Sequence, residues 1–285
     1  MLEFVVDKDF EKQTVGRFLR TYCSVSARTL AKLKRVEGAI LLNGKPARTV
    51  DSVKFGDKIC IEIPTGISEG VVPVELPLEV VFEDEYLIVL NKPPFMPVHP
   101  TKVHQEDTLA NALSYYAQSK GENYTFHAVN RLDRNTSGLV IVAKDRHTAS
   151  LMSNAEILKH YTAFVMGKIS ENGTVNAPIA LSENSKIVRT VTPKGKPSVT
   201  HYEILEHRED FTVLKLTLET GRTHQIRCHM RHIGHPLLGD DLYGGNLECI
   251  NRHALHCGYI SFKHPIKGGF VELYAELPED MKGLL

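Results

Sequence analysis

Cysteine is scarce in this 285-residue chain, and its pattern excludes a disulfide framework. Cys23, Cys60, Cys228, Cys249 and Cys257 are odd in number and include no Cys-x-x-Cys pair, which fits a reducing compartment. Long apolar runs are missing as well. No stretch approaches the ~20 residues that a membrane helix requires. The first ten residues, MLEFVVDKDF, have neither a basic n-region nor a small-residue cleavage site. No signal peptide is therefore expected, and the cytosol is the expected location. There is no internal repeat and no low-complexity segment. Net charge is also absent, at +0, which alone argues against a nucleic-acid partner.

What is present is an ordinary globular composition, 42% hydrophobic and 24% charged. The distribution of charge is uneven. Between Val15 and Gly38, six cations (Arg17, Arg20, Arg28, Lys32, Lys34 and Arg35) face Glu37 alone. A local basic patch matters more than the total when the partner is a phosphate backbone. All 14 histidines, by contrast, lie at or after His99.

The front of the chain reads as two helices and a small strand unit. Val15, Phe18, Leu19 and Tyr22 recur at helical spacing. Ser26 is placed to cap a second helix that carries Leu30 and Leu33 inward, with Gly38 as its stop. On that helix Arg28, Lys32 and Arg35 form one stripe at i, i+4, i+7. AILLNGKPA carries an Asn-Gly turn signal and DKICIEI a short strand. The expected division is a basic unit at 1–63, a Pro- and Gly-rich linker at 64–77 and a larger domain at 78–285. In the larger part YLIVLNKPP, GLVIVAKD, VLKLTLE, HALHCGYISFKHP and GFVELYAELP read as strands, with TLANALSYYAQSK and SLMSNAEILKH as helices. Strands outnumber helices and are close enough for hairpins. The expected fold is α+β, with a mixed, largely antiparallel sheet.

Three segments could carry chemistry. In NRLDRNTSGLVIVAKD, Asp133 sits between Arg131 and Arg134, ahead of a tight turn and a buried strand. A carboxylate beside guanidinium groups is held ionised. That makes it a poor general acid and a candidate nucleophile or partner for a developing cation. The plainer alternative is a structural ion pair at a strand entrance. In ETGRTHQIRCHMRHIGHPLLGDDLYGG, Arg222 stands at a helix entrance, and Arg227 and Arg231 share a helix face that suits phosphate oxygens. The alternative there is a solvated basic helix. His229, His232 and His235 raise the question of a metal-dependent hydrolase, but no His-Glu-x-x-His motif accompanies them, and a structural or RNA-contacting role is preferred. In KHYTAFVMGK, Tyr161 opens a strand with a ring that can stack on a base or simply fill the core.

These segments, in this order, with FEDEYLIVLNKPPFMPVHP ahead of them and RHALHCGYISFKHP behind, resemble the RluA-type family of RNA pseudouridine synthases from about Val81 to Leu277. The front unit is similar in pattern to the RNA-binding domain of ribosomal protein S-four type. The resemblance implies a cofactor-free isomerisation of uridine to pseudouridine in structured RNA, ribosomal RNA of the large subunit first and transfer RNA second. It implies that Asp133 is the essential aspartate, that Tyr161 stacks on the uracil and takes part in proton removal, and that Arg222 pairs with the aspartate. Arg131 falls where the target nucleotide leaves its stack. Two positions that flank the pocket depart from the family pattern: Asn130 replaces a usual histidine and Phe95 a usual glycine. A non-catalytic RNA-binding protein that keeps the fold is the alternative. Monomer is the default oligomeric expectation.

Overall fold

The computed structural model describes residues 2–23, 25, 27–62, 71–122 and 125–285. Ser26, the expected helix cap, Ile63 of the expected front unit and residues 64–70 of the expected linker lie outside them. The front unit runs β1 (Leu2–Val5), α1 (Val15–Thr21), α2 (Ala27–Leu33), β2 (Ile40–Leu42), β3 (Lys45–Pro46) and β4 (Lys58–Ile61). Thr14 caps α1, its hydroxyl accepting from Arg17 N at 3.2 Å. Asn43 and Gly44, both at positive φ, turn β2 into β3 as the Asn-Gly signal predicts. The four strands form an antiparallel sheet in the order β1-β4-β2-β3. Val15, Phe18, Leu19, Leu33, Ile59 and Ile61 fill the core between that sheet and the two helices. The predicted basic stripe is interrupted. α2 ends at Leu33, so Arg35 lies in the turn beyond it, exposed like Lys32.

The remainder continues with β5 (Glu79–Glu83), β6 (Leu87–Lys92), α3 (Leu109–Ser119), β7 (His127–Ala128), β8 (Ser137–Ala143), α4 (Arg146–Met152), β9 (Ile157–Met166), β10 (Gly173–Asn176), β11 (Ile179–Leu181) and β12 (Arg189–Val191). It ends with β13 (Val199–His207), β14 (Phe211–Leu218), α5 (Gln225–His232), β15 (Leu255–Lys263), β16 (Phe270–Tyr274) and α6 (Glu279–Lys282). Ten strands form one sheet whose spine is β10-β13-β14-β9-β15-β8-β6-β5, while β11 and β12 pair separately. Pairing is antiparallel except between β15 and β8, as the mixed, largely antiparallel expectation has it.

Two local differences from the sequence reading have physical causes. The segment SLMSNAEILKH is not one helix: α4 stops at Met152, and Ile157–His160 already belong to β9, where Ile157 and Leu158 pair with Phe262 and Ser261. Tertiary pairing overrides local helical periodicity there. Residues 71–77, read as linker, are partly fastened, because Asn111 Nδ2 donates to Val72 O at 2.7 Å. The two units also touch. Tyr86 and Ile266 pack against the front core, and the Phe4 ring meets His147 edge-on at 6.2 Å.

The parallel contact matters most for the site. β8 is buried along its whole length, as expected of a run apolar on both faces. It begins immediately after the Asp133 turn, and Gly138 pairs there with Cys257. Gly138 has φ 112°, and a Cβ on it would lie 2.3 Å from Cys257 O. Only glycine allows β8 and β15 to close together at this point.

Candidate active site

The loop bearing Asp133 is held from several directions. At its start the Asn130 side chain acts as a strand neighbour, with Oδ1 accepting from Ile141 N at 2.8 Å and Nδ2 donating to Leu139 O at 3.1 Å. At its end Thr136 Oγ1 meets His253 Nε2 at 2.7 Å. Arg252, fully buried, donates Nη1 to Asn135 O at 3.0 Å and forks onto Asp280 at 2.6 and 2.9 Å. Lys92, also fully buried, donates Nζ to Pro93 O, Met96 O and Arg134 O at 2.8, 2.9 and 3.1 Å. Burial, with Arg252 nearby, pushes the Lys92 amine down to about 7, against the pull of Asp133. Three carbonyl acceptors match the three donors of the ammonium form.

Asp133 itself is reached from α5. Arg227 Nη1 donates to Asp133 Oδ2 at 3.2 Å, while its Nε and Nη2 fork onto the fully buried Asp240 at 2.7 and 2.8 Å. Burial opposes the Arg227 charge, but the Asp240 fork and Asp133 outweigh it and raise the group. One guanidinium thus joins two carboxylates, and its orientation is fixed by the one at the back. His224, at the entrance to α5 with φ 56°, places Nε2 3.7 Å from Asp133 Oδ2. Its Nδ1 lies 3.0 Å from the Tyr243 hydroxyl, which already accepts from Arg189 N at 2.8 Å. Donating its proton to Nδ1 satisfies that buried hydroxyl fully, and this puts the imidazole proton on Nε2, toward Asp133. Burial lowers the His224 pKa despite the pull of Asp133, so the ring is neutral at neutral pH.

The carboxylate opens into a cleft. Tyr161, Leu132, Leu218, Ile226 and Leu255 supply its apolar walls, and Asp133, Arg131, Arg222, His224 and Arg227 its polar ones. Tyr161 is set into the middle of the sheet, paired with Leu216 on one side and Cys257 on the other. Burial, then the Cys257 thiol and Asp133, push its hydroxyl well above the ordinary phenol value, so it stays protonated. The arrangement offers a planar aromatic face and an oriented carboxylate in a largely apolar slot.

A family model described as RNA pseudouridylate synthase matches residues 86–232. The chain is 40% identical over 267 residues to the uncharacterized RNA pseudouridine synthase YjbO of Bacillus subtilis (strain 168), covering 92% of this chain and 94% of that one. This chain belongs to the RNA pseudouridylate synthase family. The synthase is an isomerase acting on RNA. It is also 37% identical over 265 residues to ribosomal large subunit pseudouridine synthase D of Escherichia coli (strain K12), across 86% of this chain and 81% of the relative. Among solved structures, Human RNA Pseudouridylate Synthase Domain Containing 1 superposes with a TM-score of 0.58 at 25% identity, over 70% of this chain and 83% of that one.

In this synthase the predicted residues are only partly where the sequence suggests. Asp133, Tyr161 and Arg222 do line one cleft. The arginine bonded to Asp133 is Arg227, however, whereas Arg222 is exposed at the rim with Nε 3.4 Å from Pro197 O. Arg227 is therefore not a phosphate ligand on an open helix face. It is buried, and of the predicted pair Arg231 alone is exposed. Arg131 and Arg134, which flank Asp133 in the sequence, are both exposed, Arg131 lining the cleft. The histidine triplet does not converge either. His229 has both ring nitrogens engaged, by Thr200 and Ala177 O, and His235 bonds Met166 O. Among the described residues no group of three or more His, Cys, Asp or Glu is placed to hold a metal. Asp240, Tyr243, Lys92 and Arg252 escaped the sequence reading. The one available signal for Asp240 was its setting between glycines: a Cβ on Gly239 would fall 2.0 Å from Arg252 O, and one on Gly245 2.0 Å from Leu237 O.

Proposed function

We propose that this synthase isomerises specific uridines in structured RNA, large-subunit ribosomal RNA in the first place, with Asp133 as the reacting carboxylate and no cofactor. The observation that carries the reading is the Asp133 carboxylate, oriented by the buried Arg227 and opening on the same slot as the Tyr161 ring. In the reaction the bond from the sugar to ring N1 breaks, the uracil turns over, a bond from the sugar to ring C5 forms, and the C5 proton is lost while N1 gains one. Breaking the glycosidic bond builds positive charge on the sugar, which an adjacent carboxylate stabilises or captures. The detached uracil is retained by the Tyr161 ring and the apolar walls, which also exclude water. With its hydroxyl held protonated, Tyr161 serves stacking better than proton removal at neutral pH.

The target uridine must leave its helix to reach the slot, at a cost of a few kcal/mol. Phosphate contacts offset that cost. Arg131 and Arg222 at the rim, Arg231 on α5, and Arg28, Lys32 and Arg35 of the front unit are the cations assigned to them. The large-subunit assignment rests on the name of the Escherichia coli relative; a cytoplasmic monomer is part of the same proposal. The test compares wild-type protein and Asp133→Asn on transcribed large-subunit ribosomal RNA, with pseudouridine mapped by carbodiimide and primer extension. Wild type forms the product; the variant forms none and binds the RNA within a few-fold. Product from the variant removes Asp133 from the reaction, and product on transfer RNA transcripts alone moves the substrate.

A further inference from the structure

The turn that follows β6 holds an aromatic residue in a conformation that aromatics avoid. Phe95 has φ 64°, and its side chain is on the surface with the residue 46% exposed. A bulky residue in the left-handed region is an outlier that the surroundings must enforce. They do so here. Pro93 and Pro94 stiffen the approach, Lys92 grips Pro93 O and Met96 O, and Arg134 Nε donates to Phe95 O at 3.2 Å. Lys92 also holds Arg134 O, so the Phe95 turn and the Asp133 turn are tied through one ammonium group. Core packing does not explain the ring, because it is exposed. Backbone preference does not explain it, because glycine suits this φ better.

We propose that Phe95 is a stacking platform for the base next to the flipped uridine, a contact that sets how tightly this synthase holds its RNA around the target. The proposal rests on the RNA reading of the Asp133 cleft. An exposed ring on a turn bonded to the exposed Arg134 matches the pairing of stacking face and phosphate-binding cation by which single-stranded segments are held. Stacking on an aromatic is tolerant of base identity, so the contact favours a splayed strand over a particular neighbour.

The chain contains no tryptophan, so Phe95→Trp supplies a single tryptophan, excited selectively at wavelengths beyond the tyrosine absorption band, at the position in question. With transcribed large-subunit ribosomal RNA, the tryptophan emission is quenched on binding, and the variant keeps the wild-type KM within about threefold. Phe95→Gly, which relieves the backbone, melts no lower than wild type yet raises KM about tenfold or more, with the effect falling on KM rather than kcat. Phe95→Leu, apolar without a π face, follows the glycine variant. An unquenched tryptophan, or glycine and leucine variants with wild-type KM, overturns the platform. A wild-type protein that makes no pseudouridine on any RNA overturns instead the reading beneath it, so the two failures are distinct.

Discussion

Charge is handled in opposite ways in the two halves of this synthase. Around Asp133 it is taken inside: Lys92, Arg227, Asp240 and Arg252 are all buried, the three cations answered by carboxylates or carbonyls and Asp240 by the Arg227 guanidinium. In residues 2–62, Arg17, Arg20, Lys32, Lys34 and Arg35 lie on the surface, and Thr29 is the one buried polar residue among those described. The difference follows from the two tasks. A reacting carboxylate must be oriented before the substrate arrives, which takes fixed partners in a low-dielectric setting. A grip on phosphates needs cations that are free to exchange counterions, and its strength falls with salt. Under the proposed function, structural polar networks belong to the chemistry and solvated cations to the capture of RNA.

That contrast can be broken most sharply at Arg227. Arg227→Met strips Asp240 of its fork and leaves a buried, uncompensated carboxylate. A loss of about 3–5 kcal/mol in urea unfolding is expected, together with loss of pseudouridine formation. Adding Asp240→Leu should recover most of the stability and none of the activity, because Asp133 still lacks its partner. Recovery of both would show that the pair is merely structural.

Acidification tests the same division through histidine. Burial lowers His253 well below its ordinary value and pushes His256 down to about 4. Between about 4 and 6.5 the unfolded chain binds more protons than the folded one. Stability therefore rises with pH across that window and levels off above it. His256 contributes up to about 3 kcal/mol of this change. Glu83, lowered to about 2 by the bonds from Lys144, Lys120 and Tyr116 despite its burial, loses its contribution only as the pH falls below the usual carboxylate range. Hydrogen exchange on the whole chain at pH 5 and pH 7 should show protection falling in β8 and β15. β4 should hold its protection, since every histidine lies at or after His99. Equal loss in both units would erase the contrast.

The smallest effect on the fold is expected in the front unit. Reversing Arg28, Lys32 and Arg35 to Glu should shift stability by no more than about 0.5 kcal/mol. It should weaken RNA binding and flatten the log–log salt dependence by about two to three units, and leave turnover at saturating RNA little changed. Unaltered affinity would mean that the unit acts as a spacer.

Much of this was legible in the residues themselves. Apolar or alternating runs marked β6, β8 and β14, the Asn-Gly pair marked the first hairpin, and TLANALSYYAQSK marked α3. Short strands such as β10, β11 and β12, of three or four residues each, carry too little alternation to be seen. Within the site, the sequence brings Asp133, Tyr161 and Arg222 to one cleft but cannot say which arginine meets the carboxylate. That choice depends on the left-handed turn at His224, which starts α5 so that Arg227 points inward, and on Asp240, which is close only in space. Helical spacing relates Arg227 to Arg231 correctly; burial then separates their roles.

Arg252 gives the molecule a chronology. It donates to Asn135 O while forked onto Asp280, and both residues are translated long after the loop they steady. A nascent polypeptide emerging from the ribosome therefore receives this one support of the Asp133 loop only once α6 has been synthesised.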